Sequence, residues 1–185
     1  MNVEPLCFSA DLIQAILDGR KVQARRLLKP QPPAATTGWV RESGRDGKWL
    51  PQQPPDVPPR QRVRRAVCPY GEPGQLVSLQ AEDGSPFARA LLVGARPQRL
   101  QDISDADVAA EGCINHSRAG AFLPGMPLKS VFALTWCEAH GPRSWAANPW
   151  VWVLELRVQG PVAAGEAAPP PVDPRQQDLL RAAGG

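Results

Sequence analysis

The chain has 185 residues, enough for one domain of about 150 residues and an appendage. Its 21 Lys and Arg against 18 Asp and Glu leave a net charge of +3, which excludes a histone-like polycation and a polyacidic tail. Twenty-two prolines, roughly 12% where about 5% is usual, cannot sit inside regular helices or central strands, because each lacks an N–H and fixes φ; much of the chain is therefore loop.

No stretch approaches 18 uninterrupted apolar residues, so no membrane-spanning helix is expected. The opening MNVEPLCFSADL places Glu4 and Pro5 where an export signal carries a basic segment and an apolar run, and a cytoplasmic protein is the expectation. Charge is unevenly distributed. Residues 1–66 carry 12 Lys and Arg against 6 Asp and Glu, a net +6, and the remainder is net −3. If the first third folds onto one face, that face is positive.

In chain order, Ser9 is placed to cap a helix from Ala10 to about Asp18, with Leu12, Ile13, Ile16 and Leu17 on one face and Gly19 as its stop. Basic residues follow, with Arg20, Lys21, Arg25, Arg26 and Lys29 around the apolar pair Leu27 and Leu28, before Pro30 and Pro32 end the element. Residues 30–66 are rich in Pro, Gly, Gln and Arg and read as a long excursion with at most one small hairpin around Trp39, Val40, Trp49 and Leu50. Turn chemistry at Cys68-Pro69-Tyr70-Gly71 and Pro73-Gly74 leads to a short strand at Leu76–Leu79, and a second strand spans Arg89 to Arg96. Ser104 caps a short acidic helix from Asp105 to Glu111, closed by Gly112, and a further helix runs from about Leu128 to His140 before Gly141-Pro142.

The clearest strand is Trp150–Val158, whose two faces both begin apolar, so its first half should be buried on both sides. From 161 to 185 the chain leans to polyproline and reads as a flexible tail. Short strands interleaved with three short helices, without βαβ alternation or a glycine-rich phosphate loop, indicate an α+β protein built on a small mixed β-barrel. The expected organisation is one domain over 1–160 that contains the excursion, followed by the tail.

Four cysteines without an export signal are expected to be thiols. Both histidines lie three residues after a cysteine, as Cys113-Ile-Asn-His116 and Cys137-Glu-Ala-His140. A Cys2His2 zinc site uses those residue types, but two CxxH units lack the CxxC and HxxxH spacing of zinc fingers and fall in a loop and a helix end. No metal and no cofactor is expected.

Three separated blocks carry a family resemblance. They are Leu6-Cys7-Phe8-Ser9-Ala10 leading through Gly19-Arg20-Lys21 to Lys29-Pro30-Gln31-Pro32; Cys68-Pro69-Tyr70-Gly71-Glu72-Pro73-Gly74 with Arg99-Leu100-Gln101-Asp102-Ile103-Ser104 through Ala110-Glu111-Gly112; and Trp145-Ala146-Ala147-Asn148-Pro149-Trp150-Val151-Trp152-Val153. In this order they resemble phage and prophage ASCH-like proteins. The resemblance implies a PUA-like fold, a small β-barrel with flanking helices, and a cleft that handles RNA or a modified nucleoside.

In the related amidohydrolases that deacetylate N4-acetylcytidine, a Gly-x-Lys-x-x-Thr pattern supplies a Lys base and a Thr nucleophile, and a Glu follows the Pro-Gly turn. A hydroxyl needs such a base, and a Lys serves as one only when desolvation lowers its pKa. Here Gly19 and Lys21 match, but the Thr position is Ala24. The Glu position is Ala81, with Glu82 one residue beyond and directed to the opposite face unless a bulge shifts the register.

These departures favour a module that binds RNA or a nucleotide without turnover. The alternatives are a hydrolase using Lys21 with a displaced acid such as Glu82 and a hydroxyl such as Ser78 or Ser85, and a decayed prophage remnant. The candidate contacts are Lys21, Arg25 and Arg26 for phosphate and Trp145 for a base, each set against an ordinary solvated or structural role. Trp150 and Trp152 read as core. Arg60, Arg62, Arg64 and Arg65 form a denser cluster that serves either solubility or nucleic-acid binding.

Overall fold

The computed structural model describes residues 3–42, 48–56, 65–112 and 125–161. Strand β1 (Leu6–Phe8) leads through helix α1 (Ala10–Leu17) into β2 (Gln23–Leu27), and a separate hairpin follows, β3 (Gly38–Arg41) with β4 (Trp49–Gln52). Strands β5 (Leu76–Ala81) and β6 (Pro86–Arg99) precede helices α2 (Asp105–Ala110) and α3 (Leu128–His140), and β7 (Trp150–Pro161) closes the described chain.

Five strands form one sheet in the order β1-β5-β6-β7-β2, with β1 parallel to β5 and the other neighbours antiparallel. The result is an α+β fold, a curled half-barrel with three short helices. Curling brings the two edge strands together, and Arg26 Nη2 on β2 donates to the Cys7 carbonyl on β1 at 2.6 Å. The rims of the sheet thus meet through a side chain.

Strand β7 is central because it is apolar on both faces. Trp150, Trp152, Leu154 and Leu156 join Leu6, Phe8, Ile16, Val77, Leu79 and Leu92 in the inner core. Val151 and Val153 point outward and pack with Leu100, Ile103, Val108, Phe132 and Trp136, which seats α2 and α3 on the outside of the sheet. Each fully buried side chain of this kind contributes about 1.5–3 kcal/mol. Trp39 and Trp49 carry the β3–β4 hairpin onto the inner core, and Trp39 meets Trp150 edge to face at 6.0 Å.

Helix α2 begins in a capping box. Asp107 N–H donates to Ser104 Oγ at 3.1 Å, and Ser104 N–H donates to Asp107 Oδ2 at 3.2 Å. Two strands lack a sequence signature. Strand β1 is three residues long, and β2, Gln-Ala-Arg-Arg-Leu, shows no apolar alternation because its outer face meets charged partners. The excursion holds the expected hairpin, and β7 extends to Pro161, so the tail expected from 161 lies, from 162 onward, outside the described residues. Among the described residues no helix is long and apolar enough to cross a membrane.

Candidate functional site

Alternation along β2 sends Ala24 into the inner core and Gln23 and Arg25 to the outer face, beneath α2 and α3. Lys21 stands just before the strand and is 3% exposed. Its Nζ donates to the Gln23 carbonyl at 2.9 Å, to the Glu111 carbonyl at 2.9 Å and to Glu111 Oε2 at 2.7 Å. An ammonium group has three protons, and all three are held. Arg25 is equally buried. Its Nη1 donates to Gln23 Oε1 at 2.6 Å and Glu111 Oε1 at 2.9 Å, and its Nη2 donates to Gln98 Oε1 at 3.1 Å and lies 3.3 Å from Asp107 Oδ2. Glu111 therefore bridges two buried cations with its two carboxylate oxygens.

Arg26 is placed differently. Its Nη1 donates to the Arg25 carbonyl and its Nη2 to the Cys7 carbonyl, and its guanidinium stacks 4.8 Å from the Phe8 ring centroid. Among the described residues no carboxylate forms an ion pair with it. Burial pushes the Arg26 pKa down, opposed by Tyr70, Glu111 and Cys7, as expected of a desolvated cation short of counter-charge.

These three cations share a cleft of about 330 Å³ between the start of α1, β2 and α3. Its volume lies at the lower end of the roughly 300–1,000 Å³ typical of small-molecule sites. The wall on the α3 side is aromatic. Trp136 lies 6.0 Å from Phe132 and 4.0 Å from the His140 imidazole, centroid to centroid. Burial first, then the charges of Arg26 and Lys29, holds the His140 pKa below its usual 6.5, so the imidazole is neutral at pH 7. Two donors in residues that border the cleft, Arg25 Nε on β2 and Trp136 Nε1 on α3, are buried without an acceptor among the described residues. Such groups are uncommon in folded proteins, and each one calls for a partner.

Of the residues singled out from the sequence, Lys21, Arg25 and Arg26 line one cleft, the first two ion-paired with Glu111. Trp145 does not line it; the half-buried indole packs edge to face on Phe132 at 6.2 Å. Glu82 is exposed in the β5–β6 turn, and the bulge between Leu79 and Gln80 does not bring it to the cleft. Ser85 is bound to Asp83 in that turn, and neither it nor Ser78 borders the cleft.

Arg65 pairs with Glu42 at 3.3 Å, and Arg60, Arg62 and Arg64 lie outside the described residues. So do Cys113 and His116; among the described residues no group of three or more metal-binding side chains occurs. Sequence reasoning missed Glu111, Phe132, Trp136 and His140 as site residues. For Glu111 the sequence offered its place in the family-resembling stretch that ends Ala110-Glu111-Gly112, at the end of a short acidic helix, but no sign of its partners.

No family model and no curated protein matches the chain. Among solved structures it is similar to the crystal structure of protein EF3133 from Enterococcus faecalis V583, described under the family-model DUF984. Identity is 11% over 91% of this chain and 88% of that one, with a TM-score of 0.46.

Proposed function

We propose that the chain is a PUA-like domain of the phage or prophage ASCH kind that binds RNA or a nucleotide in the cytoplasm without turning it over. The observation that carries this reading is the state of Lys21. A general base needs a free lone pair, and this ammonium gives all three protons to fixed acceptors, one of them a carboxylate. The position of the family's nucleophile, Ala24, faces the inner core and has no hydroxyl. What remains open to a ligand is a cation, Arg26, beside an aromatic wall, a combination suited to phosphate contact and base stacking. The ordered likeness of the Leu6–Pro32, Cys68–Gly74 and Trp145–Trp150 blocks to ASCH-like proteins points the same way.

A salt titration of single-stranded RNA binding tests the reading. Affinity should fall linearly on a log–log plot, and Arg26→Gln should flatten the slope by about one phosphate contact. Incubation with N4-acetylcytidine should release no cytidine. Release that disappears in Lys21→Ala would replace binding with hydrolysis, and absence of RNA binding at low salt would favour the remnant.

A further inference from the structure

A second concavity lies away from the cation cleft, at the far end of β7. Strand β2 pairs with β7 only from Val151 to Glu155, with one further bond from Leu156 N–H to the Val22 carbonyl at 2.8 Å, whereas β7 runs on to Pro161. On that side no strand among the described residues pairs with β7 beyond Leu156. Along the uncovered edge runs an open groove of about 890 Å³, between residues 157–160 and the turn that joins α1 to β2.

The groove is apolar where a surface is ordinarily polar. Leu17, Val22 and Val93 line it at 39%, 40% and 43% exposure, and they are three of the six large apolar side chains exposed among the described residues. Val93 is extra to the ladder, because the β6–β7 register passes from Leu92 to Gly94 without it. Single exposed apolar residues need no explanation, but a cluster of them beside an unpaired strand edge marks a surface that another segment covers.

The covering segment is indicated by where the chain goes next. Strand β7 lines the groove with residues 157–160 and leaves the described residues at Pro161, and residues 162–185 follow. In that sequence Asp173 is a suitable N-cap, Pro174 a suitable first helical residue and Gly184 a stop. Between them Gln176, Leu179, Leu180 and Ala183 recur at i, i+3, i+4 and i+7, one face of a helix, and Asp178 and Arg181 fall on the opposite face. A helix of this length is marginal in water unless its apolar stripe packs on something.

We infer that residues 174–183 dock in this groove as a short amphipathic helix, with Leu179 and Leu180 packed on Leu17, Val22 and Val93. The docked helix covers the open edge of β7 and buries no charge. A linker of about a dozen residues spans roughly 20 Å as a coil, so the helix stays near the groove at high effective concentration.

Hydrogen exchange of the full chain, followed by mass spectrometry, tests this. In Leu179→Ser/Leu180→Ser, segments 17–23 and 155–160 should exchange about tenfold faster than in the parent protein. Val172→Ser, outside the stripe, should change nothing. Neither change touches the two cores of the sheet, so the fold is not at risk. Val93→Lys should speed exchange of the same segments, and combining it with the leucine pair should add little, because both remove one contact. Groove exchange identical in the parent protein and the leucine variant overturns the inference. Protection that grows with protein concentration, together with a dimer in sedimentation, gives the groove to a second copy and overturns it as well.

Discussion

Gly112 lies so close to Lys21 that a β-carbon on it would stand 2.9 Å from Lys21 Cβ and 3.4 Å from Lys21 Cα. Its φ of +74° is also a conformation that L side chains rarely adopt. This contact lets the end of α2 press Glu111 onto the Lys21 ammonium. Gly112→Ala should therefore cost more than the roughly 1 kcal/mol of an alanine at positive φ alone. Gly84→Ala is the matched control, with φ at +85° and nothing within 4 Å of the added carbon. Urea denaturation should give Gly112→Ala the lower midpoint of the two, and equal midpoints would remove the steric account.

Glu111 is the single carboxylate shared by Lys21 and Arg25, at 2.7 and 2.9 Å. Replacing it by Gln leaves Lys21 facing a neutral amide and Arg25 with Asp107 alone, a change expected to cost about 3–5 kcal/mol. Lys21→Met should cost less, because Glu111 keeps Arg25. Arg20→Ala, at an exposed pair with Asp18, should leave the midpoint in place. Thermal melts followed by circular dichroism rank the three. A Glu111→Gln melt superimposable on that of the parent protein would show that the buried cluster contributes nothing.

Acid should weaken the fold partly through Asp107. Burial raises the pKa of this carboxyl, but hydrogen bonds from Gln23 and Ser104 and the charge of Arg25 outweigh burial and hold it below the ordinary 3.8. The unfolded chain therefore binds a proton more readily than the folded one, so the stabilisation is complete above the unfolded pKa and is lost as pH falls through the folded value. Tm measured between pH 6 and pH 2 should fall less steeply for Asp107→Asn than for the parent protein once the pH passes below about 4. Parallel curves would locate the acid sensitivity elsewhere.

What could be read from the sequence follows from where apolar residues dominate. Trp150–Val158 announced a strand buried on two faces, and both cores meet on it. Ser104 with Gly112 bracketed α2 because caps and stops are local chemistry, whereas Ser9 stands at the N-cap of α1 but, contrary to expectation, its side chain caps no helix N–H. Strand β2 was hidden because its outward residues, Gln23 and Arg25, are buried by ion pairs and hydrogen bonds, which leave no period-two hydrophobic trace. The basic residues of the first third were visible as charge but not as partners. Lys21 finds Glu111 across 90 residues of chain, a distance at which no spacing rule operates. Glu82 attracted notice through its nearness to a motif, but the turn that holds it faces solvent.

The bond from Arg26 to the Cys7 carbonyl bears on more than closure of the half-barrel. An open sheet ends in two rows of backbone donors and acceptors, and each row is a template on which another chain can add a strand. Here β1 and β2 are those rows, and one guanidinium both occupies an acceptor on the first and leans the second toward it. Arg26 thus covers part of that edge at the same place where it lines the cleft. A substitution made to abolish ligand contact at this position would at the same time expose a pairing edge, so loss of binding and gain of aggregation would arrive together.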